Sequence, residues 1–586
     1  MNLRKNVRTK LWAILAVGCL TTLGLVGCGS AGGGSNAVVD IAALKVVPDN
    51  ALAVVLIKDL SQLDGKIAEL GKKLNFPIPP VLATVKNIAQ IKEGLDEKGT
   101  VVVALIPGTQ TPPSPVVFIP VTDFDKFIGQ LQSEKGADGI SLIQLGPGPK
   151  SPVAKKGSYA VIVLPTSESS LKDILSAKAD ISSQLSSVSG WLAQQDIAAV
   201  ATPAGIKLGI GPIRQGLQQS QQNFPADNPQ AETVKSAFQA YDNLLKSADE
   251  NLTHAGIGMR ADKDFNLHIT SRWMLKPDSV PAKSLASIKG AAGQRFNDLP
   301  AGPYVFAGGG TMEGMAEMYG SMLAASPQMM QGLSPEQMAE LQKCMQEMMQ
   351  GANSMEMVMR VPTEGGRGIY QNMIATMKVD NAAKYLERID GTFAKMKTVL
   401  QSSKSPFFKE YELKPVTVSG GKGLELSMDL SAIMAGSMPA DNAESVKKIM
   451  EGMFGPGGKM TVTYATVDDK TIAVFYVGGA EAEKQLAAYK SRSESLAKDA
   501  QTMKTLALLP ADAQWVGVWN LSGTMAMVKI MASAFDPDAK IPLPELPAMP
   551  PLGFAAKASG NGFETDLVVP VDVLKNAVEF YKKSEL

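Results

Sequence analysis

The chain has 586 residues, a length that predicts three or four domains with ample hydrophobic core. Its 57 lysine and arginine residues balance 57 aspartate and glutamate residues, so its overall charge gives nucleic acid no electrostatic attraction. Because the chain contains only 2 histidines and 3 cysteines, a histidine-built metal site, a Ser-His-Asp triad and a disulfide framework are all poorly supported.

The N-terminus has the order of charge and hydrophobicity that is typical of a bacterial export signal. Residues 1–10 contain four basic side chains and no acidic one, and an apolar run follows at 11–26. This run is shorter than the roughly 20 residues that a helix needs to cross a bilayer, which favours a cleaved leader over a permanent span. Its end, Leu25-Val26-Gly27-Cys28, resembles the lipobox of bacterial lipoproteins.

The lipobox resemblance implies cleavage before Cys28 and acylation of its sulfur. Residues 1–27 are then a signal peptide, and the glycine- and serine-rich residues 28–40 are a flexible tether. We expect the mature chain in the bacterial cell envelope, anchored by its lipid, in the periplasm or at the outer membrane. Without the four basic residues of the leader, 53 basic residues face 57 acidic ones, a net charge of −4. A lipobox-like sequence ending at Cys19, an ordinary secretory signal and an uncleaved anchor are the alternatives.

The first folded segment predicts the order β, α, β, β, α. An apolar strand is predicted at 52–57, followed by a helix that begins near Ser61, where an acidic residue three positions later favours a capping box. Two further strands, at 101–106 and 116–121, flank a proline-rich loop and predict a hairpin. A second helix is predicted to begin at Asp123.

Parts of this order recur later in the chain. A turn containing proline precedes a predicted strand and helix at Pro48, at Pro300 and at Pro510. We therefore predict an α+β fold of repeated β-α-β-β-α units that form antiparallel sheets covered by helices, with coincidence among common patterns as the alternative. The pattern loosely resembles uncharacterised bacterial secreted proteins built of repeated strand-helix modules, and this resemblance brings no catalytic residues. The predicted units are two large copies and a shorter third, at 41–298, 299–505 and 506–586.

Near the end of the first predicted unit, strands at 256–261 and 265–273 predict another hairpin. Alternation in the second strand separates its apolar side chains from its polar ones. One face holds Leu267, Ile269 and Trp273, and the other holds His268, Thr270 and Arg272. We interpret His268 as a residue on the solvent side of the strand.

Methionine is the most unusual feature of the composition, with 13 methionines between positions 312 and 359, around Cys344. Thioethers and a thiolate suit Cu(I), and Cys344, Met345, Met348 and Met349 lie within two helical turns, so an exported copper site is one hypothesis. Packing is the simpler interpretation, because the helix predicted to start at Ser334 places several methionines on one face. An adaptable groove for an apolar ligand is a third possibility.

Two short motifs have weaker functional interpretations. Residues Gly308-Gly309-Gly310-Thr311 are predicted to join a strand to a helix, where backbone amides could hold an anion, but they lack the lysine of a phosphate loop. Residues Ser495-Leu496-Ala497-Lys498 match the Ser-x-x-Lys pattern of some acyl enzymes without its partner motifs, and a solvated helix explains them.

These observations predict a lipid-anchored envelope protein that is not an enzyme, has no cofactor and serves as a binding or structural scaffold. Its expected partners are the membrane, through the lipid on Cys28, and a protein or apolar ligand of unknown identity, but no nucleic acid. The alternative is an envelope carrier that binds copper or an apolar molecule through the methionine-rich region.

Overall fold

A computed structural model describes most of the chain from residue 41 onward. The described residues are 41–89, 91–107, 113–131, 133–136, 138–144, 150–163, 168–224, 231–290, 295–318, 334–362, 368–400, 411–430, 443–535 and 546–585. The predicted signal peptide 1–27, the tether 28–40 with Cys28, and the methionines at 322, 329 and 330 lie outside them.

The described strands form one antiparallel sheet of 20 strands. They are β1 Ala53–Ile57, β2 Val101–Ile106, β3 Ser114–Pro120, β4 Glu134–Lys135, β5 Ser141–Ile143, β6 Ser151–Lys156, β7 Tyr159–Val163, β8 Ile197–Ala201, β9 Leu252–Ala261, β10 Leu267–Leu275, β11 Tyr304–Thr311, β12 Ala352–Arg360, β13 Met373–Val379, β14 Tyr411–Val418, β15 Gly421–Asp429, β16 Lys459–Asp468, β17 Thr471–Phe475, β18 Trp515–Trp519, β19 Leu552–Ser559 and β20 Gly562–Val569.

The described α-helices connect these strands. They are α1 Leu60–Lys73, α2 Val81–Ala89, α3 Phe124–Gly129, α4 Glu168–Ser176, α5 Ser186–Leu192, α6 Pro203–Asn223, α7 Ala231–Asn251, α8 Val280–Ser287, α9 Pro335–Met349, α10 Ala382–Leu400, α11 Ala443–Phe454, α12 Gly479–Lys490, α13 Ala500–Leu506, α14 Leu521–Phe535 and α15 Val571–Glu585.

The prediction of repeated β-α-β-β-α units that form several sheets is wrong. Strand β1 pairs with β2 on one side and with β8 on the other, and β10 pairs with β20, so pairing joins strands that are far apart in the chain. These long-range pairs make one continuous sheet, because each predicted hairpin adds to a neighbouring one rather than closing its own sheet. The predicted domain boundaries stay predictions.

Outward from the central β10–β20 pair, the two halves of the sheet have the same strand order. One half runs β10, β9, β8, β1, β2, β3, β7, β6, β5, β4. The other runs β20, β19, β18, β11, β12, β13, β17, β16, β15, β14. An isolated bridge recurs as well, Pro48 with Asp180 before β1 and Pro300 with Ser495 before β11. A ten-strand arrangement therefore occurs twice within the one sheet.

Two helices that leave equivalent strands approach the backbone in the same way. Helix α6 follows β8, and a Cβ on its Gly205 would lie 1.9 Å from the carbonyl oxygen of Leu52. Helix α14 follows β18, and a Cβ on its Gly523 would lie 1.9 Å from the carbonyl oxygen of Tyr304. Because any side chain would collide with backbone here, both positions require glycine.

The sheet is packed on both faces, since successive strand residues point to opposite sides. In β3, Phe118 belongs to one large core, while Val117 packs against a different core beneath α3. In β13, Ile374 belongs to one core and the next residue, Ala375, belongs to another on the opposite face. On the central strands β9 and β10, one face of the sheet is less covered by helices. Its side chains Ile257, Met259 and Trp273 are 58%, 37% and 36% exposed.

The local predictions have mixed outcomes. The helix start at Asp123 is confirmed, because its side chain accepts a hydrogen bond from the backbone N–H of Lys126. The capping box at Ser61 is wrong, because Asp59 is the N-cap and accepts from the N–H of Gln62. The loop predicted at Gly308–Gly310 is also wrong: these residues lie inside β11, where a Cβ on Gly310 would lie 2.6 Å from the Trp515 ring.

Candidate functional site

The methionine-rich region is built around helix α9. Its predicted start is confirmed: Ser334 and Gln337 form a capping box, in which the Ser334 hydroxyl accepts from the Gln337 N–H and the Gln337 side chain accepts from the Ser334 N–H. One face of α9 packs against α10 through a cluster of Leu341, Cys344 and Met396, with Met338 and Met345 around it. The helical spacing of apolar residues therefore placed this face of α9 correctly.

The four residues predicted as copper ligands are distributed over different clusters. Cys344 is fully buried, and Met345 and Met348 pack around it between α9 and α10. Met349 packs against a separate cluster that contains Met315 and Met318, and Met348 and Met349 both pack against a third one. Burial is the main cause of a raised pKa of the Cys344 thiol, with Glu340 and Glu347 adding to it, which disfavours the thiolate that metals prefer.

A second group of methionines, which the sequence interpretation did not single out, surrounds Trp515. Met315 and Met318 form a buried cluster with Ile288, against which Met349 and Trp515 pack. Met312 is buried in the adjoining core, against which Met349 and Trp515 also pack. The spacing of three between Met312, Met315 and Met318 was visible in the sequence, but Trp515 comes from β18, about 200 residues later in the chain.

A solvent-facing cleft of about 1010 Å³ lies beside this second group, between α8, the segment that follows β11, and α9. Met312 and Met349 line it and form its apolar wall. Its charged lining side chains are three lysines and four acids, a formal charge of −1: Lys283, Lys289, Lys343, Glu313, Glu317, Glu347 and Asp380. Among these acids, Glu347 pairs with Lys395 at 2.8 Å and Asp380 accepts from the side-chain amide of Asn353 at 3.1 Å. The cleft is an open depression of the surface rather than an enclosed cavity.

No protein-family model, curated protein or solved structure matches this chain. Within the described part of the chain, no helix is long and apolar enough to cross a membrane. The same residues contain no group of three or more His, Cys, Asp or Glu side chains that could hold a metal ion.

A network of buried charged and polar side chains lies at the pair of strands β10 and β20, where the two ten-strand arrangements meet. His268 Nδ1 is 3.0 Å from Asp566 Oδ2, and Arg260 Nη2 lies 3.1 Å from the same ring nitrogen. Further along the same two strands, Arg272 Nη1 donates a hydrogen bond to Glu564 Oε2 at 2.7 Å. Burial raises the pKa of Glu564, and the Arg272 charge opposes this.

The interpretation of His268 as a solvent-side residue is wrong, because its side chain is only 4% exposed. The predicted alternation of β10 is confirmed, but its polar face is the one that faces inward: Trp191 Nε1 donates to Thr270 Oγ1 at 3.2 Å there. The apolar face carries the half-exposed Trp273 instead. This network pairs its charges with one another, as buried charges require, and borders none of the described cleft.

Glu356 on β12 is a third buried acid. Its Oε1 accepts a hydrogen bond from the Phe296 N–H at 2.7 Å, while its Oε2 is buried without a hydrogen-bond partner among the described residues. Burial raises the pKa of Glu356 to about 7; the nearby Asp298 carboxylate adds to this, and the Phe296 N–H and Lys378 oppose it. Glu356 is therefore largely protonated in mildly acidic solution.

The Ser-x-x-Lys motif at 495–498 does not line the cleft and does not belong to these networks. The residues of the Ser-x-x-Lys pattern form a short 3-10 turn, in which Leu496 is buried and Ser495 bridges to Pro300. The motif thus fastens the chain that enters β11, as the bridge to Asp180 does before β1.

Proposed function

We propose that this chain is a lipid-anchored protein of the bacterial cell envelope that binds a ligand and performs no catalysis. The lipobox at Leu25–Cys28 supports the anchor, and the glycine-rich tether supports a folded body held off the membrane. Thirteen residues, 28–40, can extend about 45 Å at most, so the sheet would work close to the bilayer surface.

The observation that carries the binding role is the cleft beside α8 and α9. It combines an apolar wall of methionine with charged and amide side chains, a combination that suits recognition of a small ligand. Methionine favours such a role because its thioether adapts to different shapes. The bare apolar residues Ile257, Met259 and Trp273 on the central strands offer a separate surface for a protein partner.

The anchor is tested by processing and fractionation of the full chain in a bacterial host. We expect the wild-type protein in the membrane fraction and its unprocessed form to accumulate with globomycin, which blocks the lipoprotein signal peptidase. Cys28→Ala protein should leave the membrane fraction or stay uncleaved. Globomycin-insensitive processing of the wild-type chain would contradict the anchor.

The binding role is tested by native mass spectrometry of the protein purified from its host. We expect a retained small molecule that is lost from Ala316→Trp, because that residue lines the cleft and the indole would fill it. Val280→Trp is the matched control, since Val280 lies on α8 at 66% exposure and is not part of the cleft lining. Equal retention by both variants would count against the cleft as the site.

A further inference from the structure

We propose that the thioethers of Met315, Met318 and Met349, together with the indole ring of Trp515, bind one soft monovalent cation, of which Cu(I) is the biological example. The proposal rests on the binding role of the cleft and names its ligand class. It places the metal in a different cluster from the one that contains Cys344 and Met345.

The donor set selects this class of ion. Divalent ions such as Zn²⁺ and Mg²⁺ bind nitrogen, thiolate and oxygen ligands, and the described residues offer no cluster of three or more of those side chains. Neutral thioethers are instead ligands for Cu(I). Met315 and Met318 are 1% and 7% exposed, so water would compete little for an ion held between them.

Trp515 adds a second kind of attraction. Its ring packs against the same cluster as Met315, Met318 and Met349, and a cation is drawn to the electron-rich face of an indole. The Trp515 Nε1 atom is buried without a hydrogen-bond partner in the described part of the chain, so no such bond fixes the ring. Packing against the methionines therefore sets the position of the ring.

The cleft provides a route for the ion. Met312 and Met349 belong both to the wall of the cleft and to the packed group around Trp515. Glu313 and Glu317 also line the cleft, directly after Met312 and directly before Met318 in sequence, and the formal charge of the lining is −1. Carboxylates at the entrance raise the local concentration of cations.

Cys344 makes a poorer ligand in this fold, although it is the softest donor in the region. It is fully buried between α9 and α10, away from the lining of the cleft. A metal at Cys344 would have to displace the Leu341 and Met396 side chains that pack around it.

The test is an anaerobic titration of the purified mature protein with Cu(I), kept reduced by ascorbate and competed with bicinchoninate. We expect one Cu(I) per chain and quenching of part of the tryptophan fluorescence. In Met315→Leu/Met318→Leu protein, which keeps the apolar volume, binding should weaken at least tenfold. In Trp515→Phe protein the quenching should disappear.

The matched control is Cys344→Ala/Met345→Leu, which alters the separate cluster between α9 and α10 and should bind Cu(I) within about twofold of wild type. Near-ultraviolet circular dichroism shows whether each variant keeps its packing. Absence of stoichiometric Cu(I) binding by the wild-type protein, or loss of binding in the Cys344 variant alone, overturns the proposal. Membrane anchoring and retention of another molecule in the cleft are measured separately, so either can succeed while the metal site fails.

Discussion

Glu356→Gln should make the protein more stable at alkaline pH and leave it nearly unchanged in acid. Burial, with Asp298 nearby, raises the pKa of Glu356 from its ordinary value of 4.5 to about 7, while the Phe296 N–H and Lys378 oppose the change. The folded chain thus holds a proton that the unfolded chain has released between these two pH values. Stability therefore falls as pH rises through this window, and is lowest above pH 7.

The size of the effect follows from the two pKa values. At about 1.4 kcal/mol per pH unit, the difference corresponds to a loss of about 3 kcal/mol between pH 4.5 and pH 8. Glutamine has the shape of the protonated acid and keeps an acceptor for the Phe296 N–H. The variant should therefore gain most of that free energy of unfolding at pH 8 and differ by less than about 1 kcal/mol at pH 5.

The assay is urea unfolding of the wild type and variant at both pH values, compared as transition midpoints because so long a chain need not unfold in one step. Glu425→Gln is the matched control. Burial pushes the pKa of Glu425 upward, but hydrogen bonds from Lys414 and the Gly479 N–H, with the Lys414 charge, lower it overall. It is ionised at both pH values, so its substitution should destabilise equally at pH 5 and pH 8. If the urea midpoint of Glu356→Gln protein differs from that of wild type by the same amount at both pH values, the raised pKa of Glu356 is not the cause of the pH dependence.

Three further predictions use the same unfolding assay. Gly205→Ala should destabilise the protein by more than about 2 kcal/mol, because the added Cβ would collide with the backbone. A Cβ at Gly209 on the same helix meets nothing within 4 Å, so Gly209→Ala should stabilise by about 0.5 to 1 kcal/mol. Equal effects of the two substitutions would contradict the close approach at Gly205. Asp566→Asn should destabilise by about 3 kcal/mol, since it removes the buried carboxylate that faces His268 and the partly exposed Arg260, and a neutral effect would contradict that pairing. Burial lowers the pKa of His254, so wild type should lose stability as pH falls below 6.5, and His254→Leu should lose less; parallel pH profiles would exclude this cause.

Short-range signals in the sequence predicted individual elements well. Strand β2 was placed at its observed bounds of 101–106, because an apolar run there is followed by a proline-rich loop. The helix start predicted at Ser334 is the observed start of α9, and helical periodicity identified the face that packs on α10. These features depend on residues within a few positions of one another.

The sheet itself could not be predicted from such signals. Pairing of β10 with β20 joins residues about 300 positions apart, and nothing local specifies it. For the same reason the buried side of β10 was assigned wrongly: His268 looks solvent-facing until Asp566 from β20 supplies its partner. The glycines of β11 resemble a loop in the sequence, but in the sheet Phe306, Glu356 and Trp515 occupy the space that their side chains would need.

For the candidate site too, local features could be predicted from the sequence and long-range ones could not. The abundance of methionine predicted the region, and helical spacing predicted which methionines of α9 pack together. The cluster of Met315, Met318 and Trp515 and the adjoining cleft depend on where β18 enters the sheet, which sequence spacing does not reveal.

The proposed lipid anchor is tested most directly by mass spectrometry of the N-terminal peptide of the mature chain. We predict a chain that begins at Cys28, with a diacylglyceryl group on its sulfur. A chain that begins elsewhere, or a Cys28 that carries a free thiol, would contradict it.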